Sequence, residues 1–281
     1  METNSNIFLK VKDYLVSDES FNLIYDENLD FLTTSPQPKK EELSKYYESL
    51  DYISHTDEKR GFIAYLYQRV KKWSLSKKAN LIFKQNDGVG TLLDIGAGTG
   101  DFLKIAKEKG WKISGMEPNK NAVLLASKKG IDLKTSLNDL EGAQFDVVTL
   151  WHVLEHIPNL ENTIVALSNL VKPNGVLLIA VPNFKSFDAT YYGEFWAAFD
   201  VPRHLWHFSK KAIKQFFAKE FELEKIKPMV FDSFYVSLLS EKYKSGNKFS
   251  IKAIWIGFLS NFKALSTKEY SSHIYCFKKT K

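Results

Sequence analysis

Leu92-Leu93-Asp94-Ile95-Gly96-Ala97-Gly98-Thr99-Gly100-Asp101-Phe102-Leu103 is the stretch whose reading decides the fold. An apolar strand runs into three glycines at alternate positions, and an amphipathic helix opens directly after them. Glycines let the backbone approach a ligand and take up conformations that other residues avoid. The N-terminus of the helix adds unpaired N–H groups and a positive dipole end, which suit a carboxylate or a phosphate. Dinucleotide sites use the spacing G-x-G-x-x-G, but here the third glycine comes one residue earlier and Asp101 follows it. Taken alone, the turn is either a cofactor cradle or a simple tight turn.

Short apolar runs alternate with amphipathic stretches from Thr91 to Asn183. The runs are 91–95, 112–116, 145–150 and 176–181, and between them lie helical patterns at 101–109, 119–129 and 160–170. Strands apolar on both faces, alternating with helices, predict a doubly wound parallel α/β sheet with right-handed crossovers. In such a sheet, ligands bind at the carboxyl ends of the strands. Glu117 closes the second run, where an acid accepts both hydroxyls of a ribose or simply starts a helix beside Pro118. Asp139, in Ser136-Leu137-Asn138-Asp139-Leu140 after the third run, either meets an adenine amino group or caps a helix.

The flanks have a different character. Residues 1–88 read as an irregular start, a break at Ser35-Pro36-Gln37-Pro38, a short helix over 41–50 and a longer one through Phe62, Leu66, Val70 and Trp73 to Ile82. In the 25 positions of 184–208, nine are aromatic against 14% for the whole chain, which singles this segment out as either a packed lid or a substrate wall. A helix is predicted at 210–219 and strands at 221–227 and 273–278. Ile251–Leu265 is amphipathic: an interfacial helix with lysines at its ends, or a helix covering the sheet or a partner.

Composition excludes several classes. With 281 residues and 44% hydrophobic content, the chain is too apolar for disorder. No apolar run approaches the ~20 residues of a membrane helix, and Met1–Lys12 lacks the pattern of a signal peptide. The single cysteine, Cys276, excludes an intrachain disulfide framework and a multi-cysteine zinc site. These features predict a cytoplasmic globular protein. The net charge of +6 comes from scattered lysine pairs rather than a basic block, so it names no partner.

Four motifs in order, LLDIGAGTG, GMEPN, FDVVTLWHVLEHIPN and VKPNGVLLIAVPN, resemble the class I S-adenosylmethionine-dependent methyltransferases over about 90 contiguous residues. The resemblance implies a Rossmann-like, seven-stranded sheet with helices on both faces and its last strand antiparallel. It also implies S-adenosyl-L-methionine as the cofactor. Asp94, Gly96, Gly98 and Gly100 would surround the methionine part, Glu117 the ribose, and Asp139 with Leu140 the adenine. Trp151 and His152 would line the floor beneath the sulfonium. Residues 1–88 then form an N-terminal helical extension and 89–281 the methyltransferase domain, with 184–208 and 229–270 as substrate-side insertions. The flanks, including Asp200-Val201-Pro202-Arg203-His204-Leu205-Trp206-His207-Phe208, resemble a bacterial subgroup found in glycan and secondary-metabolite pathways. Many of its members carry a Cys-x-x-Cys zinc knuckle; Asp26 and Leu29 occupy those positions here, so no zinc is expected.

A methyl group on a cationic sulfur is already activated, so the protein mainly has to align a nucleophile behind it. A hydroxyl acceptor also needs a base. Of the histidines at 152, 156, 204 and 207, His152 and His204 are the favoured catalytic pair, with Tyr191, Tyr192, Trp196, Arg203 and His207 as the substrate wall. His156 has a plainer reading, a hydrogen bond to a loop carbonyl. His152 and His156 are four apart, a metal-binding spacing on a helix, but no third ligand is evident and no metal is expected. The expected activity is methylation of an oxygen, or a nitrogen, of a small molecule or glycan. Two other readings are a non-catalytic S-adenosylmethionine-binding partner protein and a nucleic-acid methyltransferase. Against nucleic acid, Trp151-His152-Val153-Leu154 stands where amino-group nucleic-acid enzymes carry an Asn/Asp-Pro-Pro-aromatic signature.

Overall fold

The computed structural model describes residues 6–39, 42, 45, 46, 62–247 and 250–280. Most of the helix expected over 41–50 lies outside them. In chain order the elements begin with strands β1 (Ile7–Lys12), β2 (Ser20–Asp26) and β3 (Phe31–Ser35), then helix α1 (Phe62–Asn86). The central run is β4 (Thr91–Ile95), α2 (Asp101–Glu108), β5 (Lys112–Met116), α3 (Lys120–Ser127), β6 (Phe145–Trp151), α4 (Leu160–Leu170) and β7 (Val171–Pro182). After it come α5 (Phe187–Tyr192), β8 (Trp206–Phe208), α6 (Lys210–Phe217), β9 (Phe221–Pro228), α7 (Asp232–Ser245), α8 (Ile251–Thr267) and β10 (Ser272–Lys279).

The main sheet has six strands in the order β5-β4-β6-β7-β10-β9. β4 is parallel to β5 and β6, β6 is parallel to β7, and β10 runs antiparallel to both neighbours. The seven strands implied by the resemblance are therefore six among the described residues. Beside β5, the remaining position holds a single bridge from Met116 to Lys134. Gly130, at φ 73°, ends the preceding turn, and a 3-10 turn at Leu137–Leu140 starts soon after, so too little chain lies between them to extend a ladder.

Alternation along each strand sorts the core into two layers. Val148, Leu150, Leu177 and Ile179 face α4 and α6, where Ile164, Leu167, Ile213 and Phe217 meet them. Val147, Leu92, Val176 and Leu178 face the other way, against Ile82 of α1, Phe102 and Leu103 of α2 and Ala126 of α3. Each such side chain contributes roughly 1.5–3 kcal/mol by leaving water.

The N-terminal extension departs from expectation. Its supposedly irregular start is an antiparallel meander, and β3 pairs with β8 to complete a second sheet, β1-β2-β3-β8. Phe21 and Leu23 are buried at alternate positions of β2, the period-two signal of a half-covered strand. This sheet closes over a third core containing Leu23, Leu32, Tyr192, Trp196, Phe199 and Ile256. The aromatic segment thus supplies much of an interior.

α7 and α8 cross closely at Gly257, where a Cβ would stand 2.8 Å from the Phe234 ring. α8 turns its small residues Ala253, Gly257, Ser260 and Ala264 inward, while Ile251, Trp255, Phe258, Phe262 and Leu265 are exposed. Among the described residues no helix is long and apolar enough to cross a membrane.

Candidate active site

Parallel pairing sets the site. Ile95 is in register with both Met116 and Leu150, so the next residues, Gly96, Glu117 and Trp151, emerge side by side at one sheet edge. The backbone of the glycine turn folds back on β5: Gly96 N and Ala97 N donate to Met116 O at 2.8 and 3.0 Å. Gly98 N donates to Glu117 Oε2 at 2.9 Å, and Asn119 N donates to Oε1 at 2.9 Å. Asn119 in turn caps α3 through Asn121 N and Ala122 N.

Two of the glycines have different duties. At Gly96, with φ 69°, a Cβ would come within 2.4 Å of Val153 Cγ2, so the turn must be bare to pack against the loop after β6. Gly98, with φ 53°, has nothing within 4 Å of that position, and its missing side chain leaves open space over the cradle. Gly100 occupies the N-cap of α2 without a side-chain cap bond.

Asp94 is buried behind the turn and accepts a hydrogen bond from Thr149 Oγ1 at 2.6 Å. Burial pushes its carboxyl up to about 7, although Thr149 and the Lys78 ammonium pull the other way. Asp139 forms a capping box with Ser136: Ser136 N donates to Asp139 Oδ2, and Ser136 Oγ accepts from Asn138 N. Leu140 is buried in the core cluster that faces α4 and α6.

Trp151 leans on Phe102 with ring centroids 5.5 Å apart, and its buried Nε1 has no hydrogen-bond partner. Lys78 of α1 holds its ammonium 4.3 Å from the centre of the Trp151 ring. Burial lowers the pKa of Lys78, while Asp94 and Asp232 act to raise it. In the sequence Lys78 is one of the scattered lysine pairs, and neither Asp232 nor Glu155 stands out. A helical pattern does not say which lysine of a pair turns inward. A groove of about 410 Å³ runs outward from this point between α1 and the end of β9, lined by Trp73, Lys77, Lys78, Met229, Phe231 and Asp232 among others.

His152 ends this edge in a left-handed conformation, φ 57°, a region that is uncommon for residues other than glycine. Its imidazole lies between two carboxylates, Nδ1 at 3.4 Å from Glu155 Oε1 and Nε2 at 3.2 Å from Asp232 Oδ2. Burial works against its charge, but the bonds to Asp232 and Glu155 prevail and push its pKa up to about 9. In this arrangement it is an imidazolium at neutral pH, a donor rather than an acceptor of protons.

The other residues read as a substrate wall are mostly interior. Trp196 Nε1 donates to Asp188 Oδ2 at 2.8 Å. Arg203, 1% exposed, donates to Asp13 at 2.9 Å, to Asp200 at 2.8 Å and to the Tyr46 carbonyl at 3.0 Å. His207 Nε2 lies 3.0 Å from Thr34 Oγ1. Tyr192 is buried too, and only Tyr191 of the five keeps partial exposure. Arg203 and His207 therefore hold the first strands to the aromatic segment, and Trp196 braces that segment internally through Asp188, a correction to their reading as substrate contacts. The reason is partner choice: Asp13 and Thr34 lie far away in sequence, and they satisfy groups that look unpaired in their own segment. His204 Nδ1 bonds the Ala198 carbonyl at 2.9 Å, and His156 Nδ1 the Arg203 carbonyl at 3.1 Å.

The residues present fit the cofactor that the resemblance implies. The space at Gly98 admits a ligand, each Glu117 oxygen retains lone pairs for ribose hydroxyls, and Trp151 Nε1 is a buried donor without an acceptor.

The chain is 32% identical over 108 residues to the ubiquinone biosynthesis O-methyltransferase of Azoarcus sp. (strain BH72), covering 34% of this chain and 46% of that protein. It is 27% identical over 124 residues to the Vibrio atlanticus (strain LGP32) protein of the same name, covering 39% and 52%. The chain thus matches about half the length of these curated relatives. Among solved structures it is similar to the cyclopropane synthase MmaA2 from Mycobacterium tuberculosis, with TM-score 0.53, 15% identity and coverage of 88% of this chain and 100% of that one. The cyclase SpnF gives TM-score 0.51, 17% identity and coverage of 73% and 80%. At such identities these two establish the fold alone. A family model described as a methyltransferase domain matches residues 65–227, which take in α1, the glycine turn, Glu117, Trp151 and the sheet as far as β9. The chain therefore belongs to the methyltransferase-domain family.

Proposed function

We propose that this chain is an S-adenosylmethionine-dependent methyltransferase acting on an oxygen of a small molecule or glycan. The observation that carries it is the row Gly96, Glu117 and Trp151 at one sheet edge, with open space over Gly98. The oxygen is supported by the printed name of the relatives, O-methyltransferases of ubiquinone biosynthesis. Bound there, S-adenosylmethionine supplies a methyl group on a cationic sulfur. The chain's own residues do the rest. Asp94, Gly96, Gly98 and Gly100 hold the methionine end, Glu117 the ribose, and Asp139 with Leu140 the adenine side. Trp151 forms the floor, and Lys78 offers a cation to the cofactor's carboxylate. His152, one-third exposed and charged between Asp232 and Glu155, donates a hydrogen bond that positions the acceptor oxygen, and the Asp232 carboxylate beside it takes the proton. Residues 89–281 act as the catalytic domain, and the setting is the cytoplasm.

Calorimetry with S-adenosylhomocysteine, with NAD as control, tests the cofactor. Micromolar binding of the first and none of the second is expected; the reverse would overturn the reading. Labelled methyl transfer to phenolic and sugar hydroxyls then tests the acceptor class, and His152→Asn should lower kcat about 10²–10⁴-fold with cofactor binding intact.

One observation favours an acceptor met at a lipid surface. α8 carries an exposed apolar stripe, contains no acidic residue, and has Lys252 and Lys263 as its only charges. A helix with such an apolar stripe suits a lipid–water interface.

A further inference from the structure

The groove that opens beside Trp151 has a chemistry of its own. α1 lines it with one face, on which Trp73, Lys77, Leu81 and Lys84 recur at helical spacing. β9 lines the other side from Lys227, which pairs with Ile274 of β10 and so shares its face toward α1. The two walls touch at both ends. The Trp73 and Phe231 rings meet edge-on with centroids 5.2 Å apart, and Gln85 Nε2 donates to Glu224 Oε2 at 3.2 Å. Between these contacts about 410 Å³ stays open, within the range of small-molecule sites, roughly 300–1,000 Å³.

The lining is at once cationic and apolar. Lys77, Lys78, Lys84 and Lys227 face a single carboxylate, Asp232. That carboxylate is already engaged by His152 Nε2 at 3.2 Å. Lys78 lies over Trp151 and serves the cofactor end. The other three lysines have no carboxylate partner among the described residues, and Lys77 rests 3.7 Å from the centre of the Trp73 ring. Beside them Trp73, Val230 and Phe231 are 44%, 38% and 49% exposed. Unneutralised lysines around a concave wall focus a positive potential that selects anions. Bare apolar side chains gain by covering one another or a ligand. An inorganic anion would leave the apolar wall bare, and a neutral apolar molecule would leave the lysines unpaired. A ligand that satisfies both carries an apolar body and a negative charge.

We propose that this groove holds the methyl acceptor, and that the acceptor is a small organic acid bearing a carboxylate or a phosphate. The anionic group meets Lys84 and Lys227, the apolar body lies against Trp73, Val230 and Phe231, and the hydroxyl reaches the Asp232 end beside His152. Lys78 and Lys84 are six residues apart on α1, a rise of about 9 Å. The acid and the reacting hydroxyl therefore stand at opposite ends of one small molecule. That the ligand is the acceptor rests on the methyltransferase reading; that the groove takes an organic anion does not.

The test titrates the full chain by ligand-observed NMR at low salt with phenylacetate, phenyl phosphate and the uncharged phenylacetamide. Each titration is run with and without saturating S-adenosylhomocysteine. Both anions should bind at least tenfold more tightly than the amide, and Lys84→Gln combined with Lys227→Gln should remove most of that preference. Lys225→Gln, on the same strand but outside the groove, should leave it unchanged. The tighter of the two anions identifies the acidic group as phosphate or carboxylate. Equal binding of phenylacetate and phenylacetamide, binding of neither, or a preference that survives the double substitution overturns the proposal, whatever the cofactor result. If the double variant does not fold, the wild-type comparison decides alone. Charge-selective binding to a chain that ignores S-adenosylhomocysteine keeps the anion site and overturns the acceptor role together with the methyl-transfer reading.

Discussion

Gly98 N donates to Glu117 Oε2 across 2.9 Å, so the glycine turn after β4 and the tip of β5 move as one unit. The same carboxylate also receives Asn119 N, which couples the start of α3 to that unit. Glu117 shapes the cradle as well as facing it. Glu117→Ala should weaken S-adenosylhomocysteine binding about 10- to 100-fold, as expected for the loss of hydrogen bonds to a charged group worth roughly 1.5–3 kcal/mol. Calorimetry on a variant shown to be folded by circular dichroism checks this; unchanged affinity would remove Glu117 from the ribose site.

Two neighbouring glycines should fail differently. Gly96→Ala meets Val153 and also carries a positive φ, so it should lose about 2–4 kcal/mol of stability from strain and overpacking together. Gly98→Ala meets no atom, so its cost should be near the 1–2 kcal/mol of the backbone alone. Its new methyl group should nevertheless obstruct the cofactor and weaken binding at least tenfold. Urea denaturation and calorimetry on the pair separate the two effects, and equal behaviour would contradict the geometry.

Cofactor binding should depend on pH through Asp94. Its carboxyl is pushed up to about 7 by burial, above an unfolded value of about 3.9. The folded chain thus binds more protons, and stability from this group falls as pH rises from about 4 to 7. An ammonium-bearing ligand prefers the ionised carboxylate, so affinity for S-adenosylhomocysteine should rise up to tenfold per pH unit below about 7 and flatten above it. Thr149→Val removes the hydroxyl donor and should move that midpoint upward. A flat profile between pH 5.5 and 8 would exclude Asp94 from the ammonium site.

Arg203 ties β1 to the loop before β8 through Asp13 and Asp200. Arg203→Leu leaves Asp13 buried without its cation, held only by Leu15 N, Val16 N and Ser17, and should destabilise by about 3 kcal/mol. Hydrogen exchange should then show faster opening of β1 and β2 than of β4 and β6. Uniform loss across both sheets would mean that they unfold only together.

The exposed stripe of α8 gives a fifth expectation. Wild type should co-sediment with vesicles containing anionic lipid, less so at high salt. Trp255→Ser with Phe258→Ser should reduce that binding several-fold with little change in Tm, because both side chains are largely exposed. Equal sedimentation of the variant would remove the lipid surface as the stripe's partner.

Much of the cofactor edge was legible because its signals are local. A strand, a glycine turn and an acid one strand later follow each other within Leu92–Glu117, and parallel pairing of β4 with β5 aligns them. The β9 and β10 strands were also legible, expected over 221–227 and 273–278 and found there. The second sheet was not, since β3 is completed by Phe208 and His207, far along the chain. Aromatic enrichment in 184–208 marks a place where rings gather but does not say whether they face inward. Arg203 and His207 looked available because the groups that satisfy them, Asp13 and Thr34, come from the first strands. Lys78 and Asp232 reach the site only through the packing of α1 and the direction of β9, which no window of sequence contains.

The pairing of β3 with β8 also has a consequence for how the chain is made. Residues 31–33 leave the ribosome early, yet their hydrogen-bonding partners at 206–208 follow only after the whole β4–β7 unit has been synthesised. Until then β3 presents an open edge, with Phe31 and Leu32 still uncovered. The second sheet therefore closes only late, and nascent chains halted before residue 206 should be the ones that need a chaperone.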